Sequence, residues 1–420
     1  MSAIDPDAFP PRTASYEADP ARVDRVLLLY SGGLDTSVML RWIQDRYDAE
    51  VVCLTVNLGQ PGEDYAVIED KALRLGALEC HVVDAREQFA HDYLAPAIKA
   101  NALYGDYPLF TALGRPLIAK LAVDYARRTG CDTIAHGCTG KGNDQVRIEA
   151  TVATLGPELK VIAPVRSWQM GREEEIAYAR QHGIPIKGGA EVTPYSIDDN
   201  LWGRSSEGRW IEQLDHAPED DVFQLVTRPE QAPDEAEIVT IAFENGLPVA
   251  LNGEPLGLVR LIEAAADIAA RHGVGIVDHI EDRIVGLKVR DIYEAPAAAL
   301  ILPAHRELER LVGTIHQNQL KPQIERQWAY LVYAGLWWEP LRLNLDAYMD
   351  SVNERVTGAI GLKLYKGHAR VVTRESPHAV YDAALASFAE SGGLFSQTAS
   401  PGFIELWSLQ SRMAWRLRGE

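Results

Sequence analysis

From Arg25 onward the chain alternates between short apolar runs and longer stretches in which apolar residues recur every three or four positions. VLLLY (26–30), EVVCLTVNL (50–58), ECHVVDA (79–85), CDTIAHG (131–137) and LKVIAPV (159–165) read as strands. Between them LDTSVMLRWIQDRY (34–47) reads as a helix that can bury Val38, Leu40, Trp42 and Ile43. EDYAVIEDKALRLG (63–76) and RPLIAKLAVDYARRTG (115–130) read as helices closed by glycines. Strands that alternate with helices at this spacing predict an α/β fold with a doubly wound parallel sheet.

The pattern changes after about residue 170. GREEEIAYARQHGIPI gives one more helix and turn, followed by a loop-rich stretch with Trp202, Arg204, Ser205 and Ser206 among turn residues. EIVTIAFENGLPVALNGEPLG (237–257) sets two Asn-Gly pairs among alternating apolar residues, a strong antiparallel hairpin signal. LVRLIEAAADIAARHG (258–273) is a helix. These signals predict a second, α+β domain. The expected division is a flexible tail at 1–22, the α/β domain at 23–170, the α+β domain at 171–375, and a C-terminal arm and helix at 376–420. That last helix, IELWSLQSRMAWRLRGE, carries Leu, Trp and Met on one side. It is expected either to fold back on the body or to be lent to another subunit. The stretch from Arg209 to Asp221 gives no clear pattern.

Composition narrows the function. Of 420 residues, 47% are hydrophobic and 24% charged, ordinary values for a globular enzyme. The net charge of −19 argues against nucleic acid or an anionic membrane as partner, since both need a basic face. It leaves room for an anionic small ligand, because backbone amides and a few local cations can hold a phosphate. Cys53, Cys80, Cys131 and Cys138 form no CxxC pair, so reduced thiols in a cytoplasmic protein are expected rather than a disulfide framework or a zinc ribbon. No apolar run approaches a membrane span. The proline-rich polar start lacks the cationic and apolar regions of a secretion signal.

Candidate chemistry begins where the first strand ends, in SGGLDTS (31–37). A loop that follows a strand and opens a helix presents free amides and a partial positive charge. Gly32 and Gly33 remove Cβ atoms that would block a phosphate, and Ser31, Thr36 and Ser37 add hydroxyl donors. Asp35 lies in the first turn, where a carboxylate can cap or hold a cation. The string is neither a Walker loop nor GxGxxG.

A second loop, HGCTGKGNDQVR (136–147), begins as another strand ends and so faces the same sheet edge. Gly137, Gly140 and Gly142 can form an amide nest for an anion. Asp144 suits an ammonium, and Arg147 can grip a carboxylate with two prongs. Lys141 does not make this a Walker loop, because Gly142 occupies the Ser/Thr position.

SGGLDTS resembles the pyrophosphate-binding loop of the N-type ATP pyrophosphatases, which cleave ATP between its α- and β-phosphates. HGCTGKGNDQVR resembles the signature of one branch, the argininosuccinate synthase family. NLGQ (57–60), KVIAPVR (160–166), YSIDDNLWGRSSEG (195–208), RHGVGIVDHIEDRIVGLKVRDIYEAP (271–296) and LYKGHARVV…RESP (364–377) are similar to family segments in family order, covering roughly residues 23 to 410.

The resemblance implies an adenine nucleotide α-hydrolase-like first domain, a synthetase second domain and a cytoplasmic homotetramer joined by the C-terminal helix. It implies that ATP, L-citrulline and L-aspartate become argininosuccinate, AMP and pyrophosphate in arginine biosynthesis, through a citrullyl-adenylate, with Mg²⁺ alongside ATP. By the same resemblance ATP lies on Tyr30, Ser31, Gly32, Gly33, Leu34, Asp35, Thr36, Ser37, Val56 and Gly137. Aspartate would meet Thr139, Asn143 and Asp144. Citrulline would meet Tyr107, Asn143, Arg147, Ser196, Ser205, Glu281 and Tyr293. Asp35, Asp144 and Arg147 are the expected catalytic groups, and the metal ligands are unassigned. The sequence departs from the family pattern in three places. Ala112 stands where many members have serine, Val289-Arg290-Asp291 replaces Ser-Arg-Gly, and IYEAP replaces IYETP. Two other readings remain from sequence: another ligase of the pyrophosphatase type, and a nucleotide-binding paralogue without catalysis. The net charge and the missing CxxC pair count against a tRNA-modifying enzyme, and the presence of Asp144, Arg147 and Glu281 counts against the second reading.

Overall fold

A computed structural model describes residues 12–168, 170–185, 195–386 and 395–419. The first five strands, β1 (Arg25–Leu29), β2 (Glu50–Asn57), β3 (Glu79–Asp84), β4 (Thr133–Ala135) and β5 (Lys160–Ile162), form one parallel sheet in the order β3-β2-β1-β4-β5. Their near-continuous apolar sequences fit strands covered on both faces. Leu27, Leu28 and Val52 are fully buried. Helix α1 (Leu34–Tyr47) follows β1, α2 (Tyr65–Arg74) follows β2, α3 (Phe110–Thr129) precedes β4, and α4 (Asp144–Leu155) follows it. The predicted α/β fold is therefore present. Helix α3 starts five residues before the predicted Arg115, and Pro116 is accommodated within its first two turns.

The N-terminal segment corrects the expectation of a wholly mobile tail. The Val161 amide donates to the Tyr16 carbonyl (2.9 Å), the Ala18 amide donates to the Val161 carbonyl (3.0 Å), and Ala18 and Val23 are buried. This segment covers the free edge of β5, which would otherwise expose unpaired backbone groups. The rest of that expectation concerns residues 1–11, outside the described residues.

The second half contains two antiparallel sheets. One joins β6 (Ser196–Asn200), β7 (Gly203–Glu207), β11 (Ile276–Asp282) and β12 (Lys288–Glu294) in the order β11-β12-β7-β6. The other joins β8 (Glu237–Glu244), β9 (Leu247–Leu251), β10 (Glu254–Pro255), β13 (Gly358–Tyr365) and β14 (His368–Glu375) in the order β10-β9-β8-β13-β14. The two Asn-Gly turns form as predicted: Asn245, Gly246, Asn252 and Gly253 all have positive φ, the backbone that a tight two-residue hairpin requires. The unplaced stretch after Arg209 is a short helical turn and loop. The Arg290 guanidinium anchors it by donating to the carbonyls of Gln213 (3.0 Å) and His216 (2.8 Å).

The β6–β7 turn joins the two halves. Leu201 and Trp202 are buried in the first half: the Leu201 amide donates to the Leu58 carbonyl (2.8 Å), and the Trp202 indole donates to the Pro108 carbonyl (3.0 Å). Gly59 of NLGQ has φ +92°, and a Cβ there would lie 3.2 Å from the Leu201 backbone. Only glycine allows both this conformation and this close approach.

The predicted terminal helix is present as two short helices, Ser400–Trp407 and Leu409–Arg416, rather than one. Neither buries a residue. Leu406 is 76% and Trp407 78% exposed, so these two helices are not packed on the body.

Candidate functional site

In a doubly wound sheet, ligands bind beyond the strand C-termini at the point where the strand order reverses. Here β2 and β3 lie on one side of β1, and β4 and β5 on the other. The β1 and β4 ends therefore flank the crevice, and SGGLDTS and HGCTGKGNDQVR leave from those two ends. A cleft of about 770 Å³ lies there.

In the first loop Gly32 has φ +76°, and a Cβ would lie 2.8 Å from Ile68. Gly33 caps α1 without a side-chain hydrogen bond, so the first amides of the helix stay free. Ser31 and Thr36 line the cleft and hydrogen-bond each other (3.1 Å). Ser37 does not serve as an outward donor. It is buried, donates to the Gly33 carbonyl (2.6 Å) and pairs with the Tyr30 hydroxyl (3.1 Å), so it braces the loop from beneath. Asp35 accepts from Arg172 (2.6 Å) on the helix Arg172–Gln181, and the nearby Glu175 is pushed up to about 7 by burial and by Asp35. Leu34 and Val56 lie on the cleft wall with Leu29, Leu54 and Ile118. These five apolar side chains suit a flat ring.

The second loop places Gly137, Thr139, Asn143, Asp144 and Arg147 along the opposite wall. Asn143 is held at both ends of its amide, by the Tyr333 hydroxyl (2.7 Å) and by the Ile284 backbone N–H (3.0 Å). Both Asp144 oxygens accept from arginine, one from Arg147 and one from Arg115, each at 2.8 Å. Burial alone would raise the Asp144 carboxyl, but the two guanidinium groups outweigh it and hold it at about 2. Arg147 donates through Nε to the Tyr333 carbonyl (3.1 Å) and through Nη1 to Asp144 and Thr111. Its Nη2 is buried without a partner. An unsatisfied buried donor costs about 1–3 kcal/mol, more for a charged group, and marks a position suited to an acceptor.

The third wall is one face of the four-stranded antiparallel sheet. Residues opposed across strands share a face, and along a strand every second residue does. Tyr293 opposes Ser205, Ser205 opposes Asp198, and Glu207 opposes Ser196. The period of two thus turns Ser196, Ser205, Glu207, Glu281, Asp291 and Tyr293 toward the cleft, which they all line. On the other face Ile292 packs with Tyr195, Ile211 and Val222. Glu281 accepts from Tyr293 at one oxygen and from Tyr333 (2.6 Å) at the other. Tyr107 stacks on Tyr293 at 4.6 Å, and its hydroxyl pairs with Thr111 (2.5 Å) at the start of α3. Ala112 is fully buried; beside it, the Thr111 hydroxyl lines the cleft.

All the sequence-predicted residues thus lie in or immediately behind one cleft. Arg115, Asp198, Arg283 and Tyr333 were missed by sequence reasoning. Arg115 bridges Asp144 and Asp198. Arg283 reaches Glu207 and the Lys141 carbonyl. Tyr333, at the end of a helix spanning Ile315–Tyr333, carried no local signal, because distant segments supply its partners.

The fold and cleft define a doubly wound α/β enzyme whose large polar cleft lies against a glycine loop at the sheet's switch point. The family model described as "Arginosuccinate synthase N-terminal HUP domain" matches residues 25–185, and "Arginosuccinate synthase C-terminal domain" matches residues 195–414. Proteins named argininosuccinate synthase are similar along nearly the whole chain. That of Rubrobacter xylanophilus is 55% identical over 92% of this chain and 94% of its own. That of Pyrococcus furiosus is 48% identical over 94% and 95%, and that of Symbiobacterium thermophilum 48% over 93% and 97%. The chain belongs to the argininosuccinate synthase family.

Proposed function

We propose that the cleft joins L-citrulline to L-aspartate at the expense of ATP, releasing AMP and pyrophosphate. The observation that carries this reading is the buried, unpaired Nη2 of Arg147, a residue that lines the same cleft as the glycine loop on β1. An amino-acid carboxylate completes that guanidinium, and the free amides of α1 take the nucleotide phosphates. Tyr30 to Ser37, Val56 and Gly137 form the ATP subsite. Glu281 takes the citrulline ammonium, while Tyr107, Asn143, Ser196, Ser205 and Tyr293 direct the rest of that molecule. Thr139, Asn143 and Asp144 face aspartate.

The ureido oxygen of citrulline attacks the α-phosphorus and pyrophosphate leaves. The ureido carbon, now bonded to a good leaving group, is attacked by the aspartate amine, and AMP departs. No covalent enzyme nucleophile is needed; the side chains position the reactants and neutralise developing charge. A divalent ion, expected to be Mg²⁺, would travel with the triphosphate. No cluster of three or more His, Cys, Asp or Glu is placed to hold a metal among the described residues, and a magnesium ion held mainly by phosphates and water needs no such cluster.

The reading includes an ATP-binding unit at 23–170, a synthetase unit at 171–375 and an arm at 376–420. The exposed Phe403, Leu406, Trp407 and Trp415 support self-association through the arm, as a homotetramer in the cytoplasm. Among the described residues no helix is long and apolar enough to cross a membrane.

The test is a product assay with ATP, citrulline and aspartate. Equal yields of AMP, pyrophosphate and argininosuccinate are expected. ADP and orthophosphate as products would remove the chain from this chemistry.

A further inference from the structure

The cleft holds more carboxylate than the reading above uses. Asp291 opposes His279 across β11 and β12, is only 4% exposed and lines the cleft. Its Oδ2 lies 3.2 Å from the Tyr293 hydroxyl, which also bonds Glu281. That hydroxyl has one proton and two carboxylate neighbours. The hydroxyl donates toward both carboxylates and lies closer to Glu281, so Asp291 receives the weaker share of that single proton.

Arg283 is shared in the same way: its Nη2 reaches Glu207 and lies 3.3 Å from Asp291. Glu207 and Asp291 therefore share one guanidinium, which also feels the charge of Glu281. His279 on β11, Tyr107 stacked on Tyr293, Tyr333 on the other Glu281 oxygen and the Arg147 guanidinium also face this corner. Burial, reinforced by Glu207 and Glu281, pushes the Asp291 carboxyl up to about 7 despite Arg283. A buried surplus of acid beside Glu281 is matched by a cation that arrives with the substrate.

We propose that Asp291 is a specificity-determining residue that, together with Glu281, receives the α-ammonium group of the ureido amino acid and gives up its proton to solvent when that group binds. This rests on the reading that the cleft takes citrulline. The balance is one cation in and one proton out. Below neutrality, substrate binding must displace that proton; above it, the carboxylate is already formed. The grip on the ammonium end therefore tightens as pH rises.

The test is the citrulline KM of the full chain between pH 6 and 8, at saturating ATP and aspartate. A fall of about three- to tenfold is expected as Asp291 goes from mostly protonated to mostly ionised. Asp291→Asn and Asp291→Gly should flatten that step, with the effect on citrulline KM rather than on ATP KM. A further measurement needs no variant: 5-ureidopentanoate, which lacks the ammonium, should inhibit with a Ki that does not fall over the same range. A citrulline KM that does not change with pH, or an equal fall in the analogue's Ki, overturns the role of Asp291 while leaving the citrulline reading intact. Absence of citrulline turnover at every pH overturns both.

Discussion

Asp144 and Arg147 face each other one helical turn apart at the start of α4, and their 2.8 Å ion pair fixes which guanidinium nitrogen is left for a ligand. Asp144 also holds Arg115, so one carboxylate sets two cations. Asp144→Asn should raise the aspartate KM strongly and leave ATP affinity nearly unchanged. It should also cost stability: breaking a buried pair from one side costs about 3–5 kcal/mol, and the 24% exposure of the Asp144 side chain places this case at the lower end. Aspartate KM, ATP affinity and thermal unfolding together check this. Lost ATP binding with an unchanged aspartate KM would refute the assignment.

Arg172 neutralises Asp35 at the mouth of the phosphate loop. Both side chains are about half exposed, so the pair adds little to folding stability. Its effect should fall on the ligand instead. Arg172→Ala leaves a bare carboxylate beside the triphosphate, and ATP KM should rise on the order of tenfold through that repulsion. An ATP KM within twofold of the parent would make the pair a surface feature only.

The raised Asp291 carboxyl has a consequence for stability. Between the ordinary aspartate value of about 4 and its folded value of about 7, the folded chain binds more protons than the unfolded one. Its contribution is therefore fully present below about pH 4 and lost as pH rises through 7. Asp291→Asn, which cannot ionise, should stabilise the chain at pH 8 by on the order of 1–3 kcal/mol and have little effect at pH 4. Denaturant unfolding of both proteins at the two pH values measures this; equal differences at both would contradict it.

Two truncations separate the parts of the N-terminal segment. Removal of residues 1–11 should leave activity and melting temperature nearly unchanged. Removal of residues 1–22 uncovers the β5 edge and takes away Tyr16, which bonds Glu149, the residue that also holds His136 and Arg166 under the second loop. That form should melt several degrees lower. Indistinguishable melting curves would show that the docked segment contributes nothing.

Isotope labelling tests the order of bond changes. A ureido carbon is a poor electrophile because nitrogen lone pairs delocalise into its carbonyl. Citrulline labelled with ¹⁸O at the ureido oxygen should give AMP carrying the label in its phosphate. Label in pyrophosphate or water would exclude the adenylated intermediate.

The sequence by itself determined what local physics can encode. The helix beginning at Leu34 and the Asn245-Gly246 and Asn252-Gly253 turns were legible because period, cap and positive-φ residues lie within a few positions of one another. The two glycine loops were legible for the same reason, and the family resemblance added Ser205, Glu281 and Tyr293, whose contacts no local pattern reveals. Tertiary structure alone decided how these groups are used. Ser37 turned inward because Tyr30 and the Gly33 carbonyl claimed its hydroxyl. Tyr16 docked because the edge of β5 lacked a partner. Arg147 kept one nitrogen free because Asp144, Thr111 and the Tyr333 carbonyl, the last from another part of the chain, claimed the others. Asp291 became a group titrating near neutrality only when sheet register set it beside Tyr293 and within the field of Glu207 and Glu281. Hydrogen-bond assignment and dielectric environment depend on which distant segments meet, and the order of residues along the chain does not contain that information in local form.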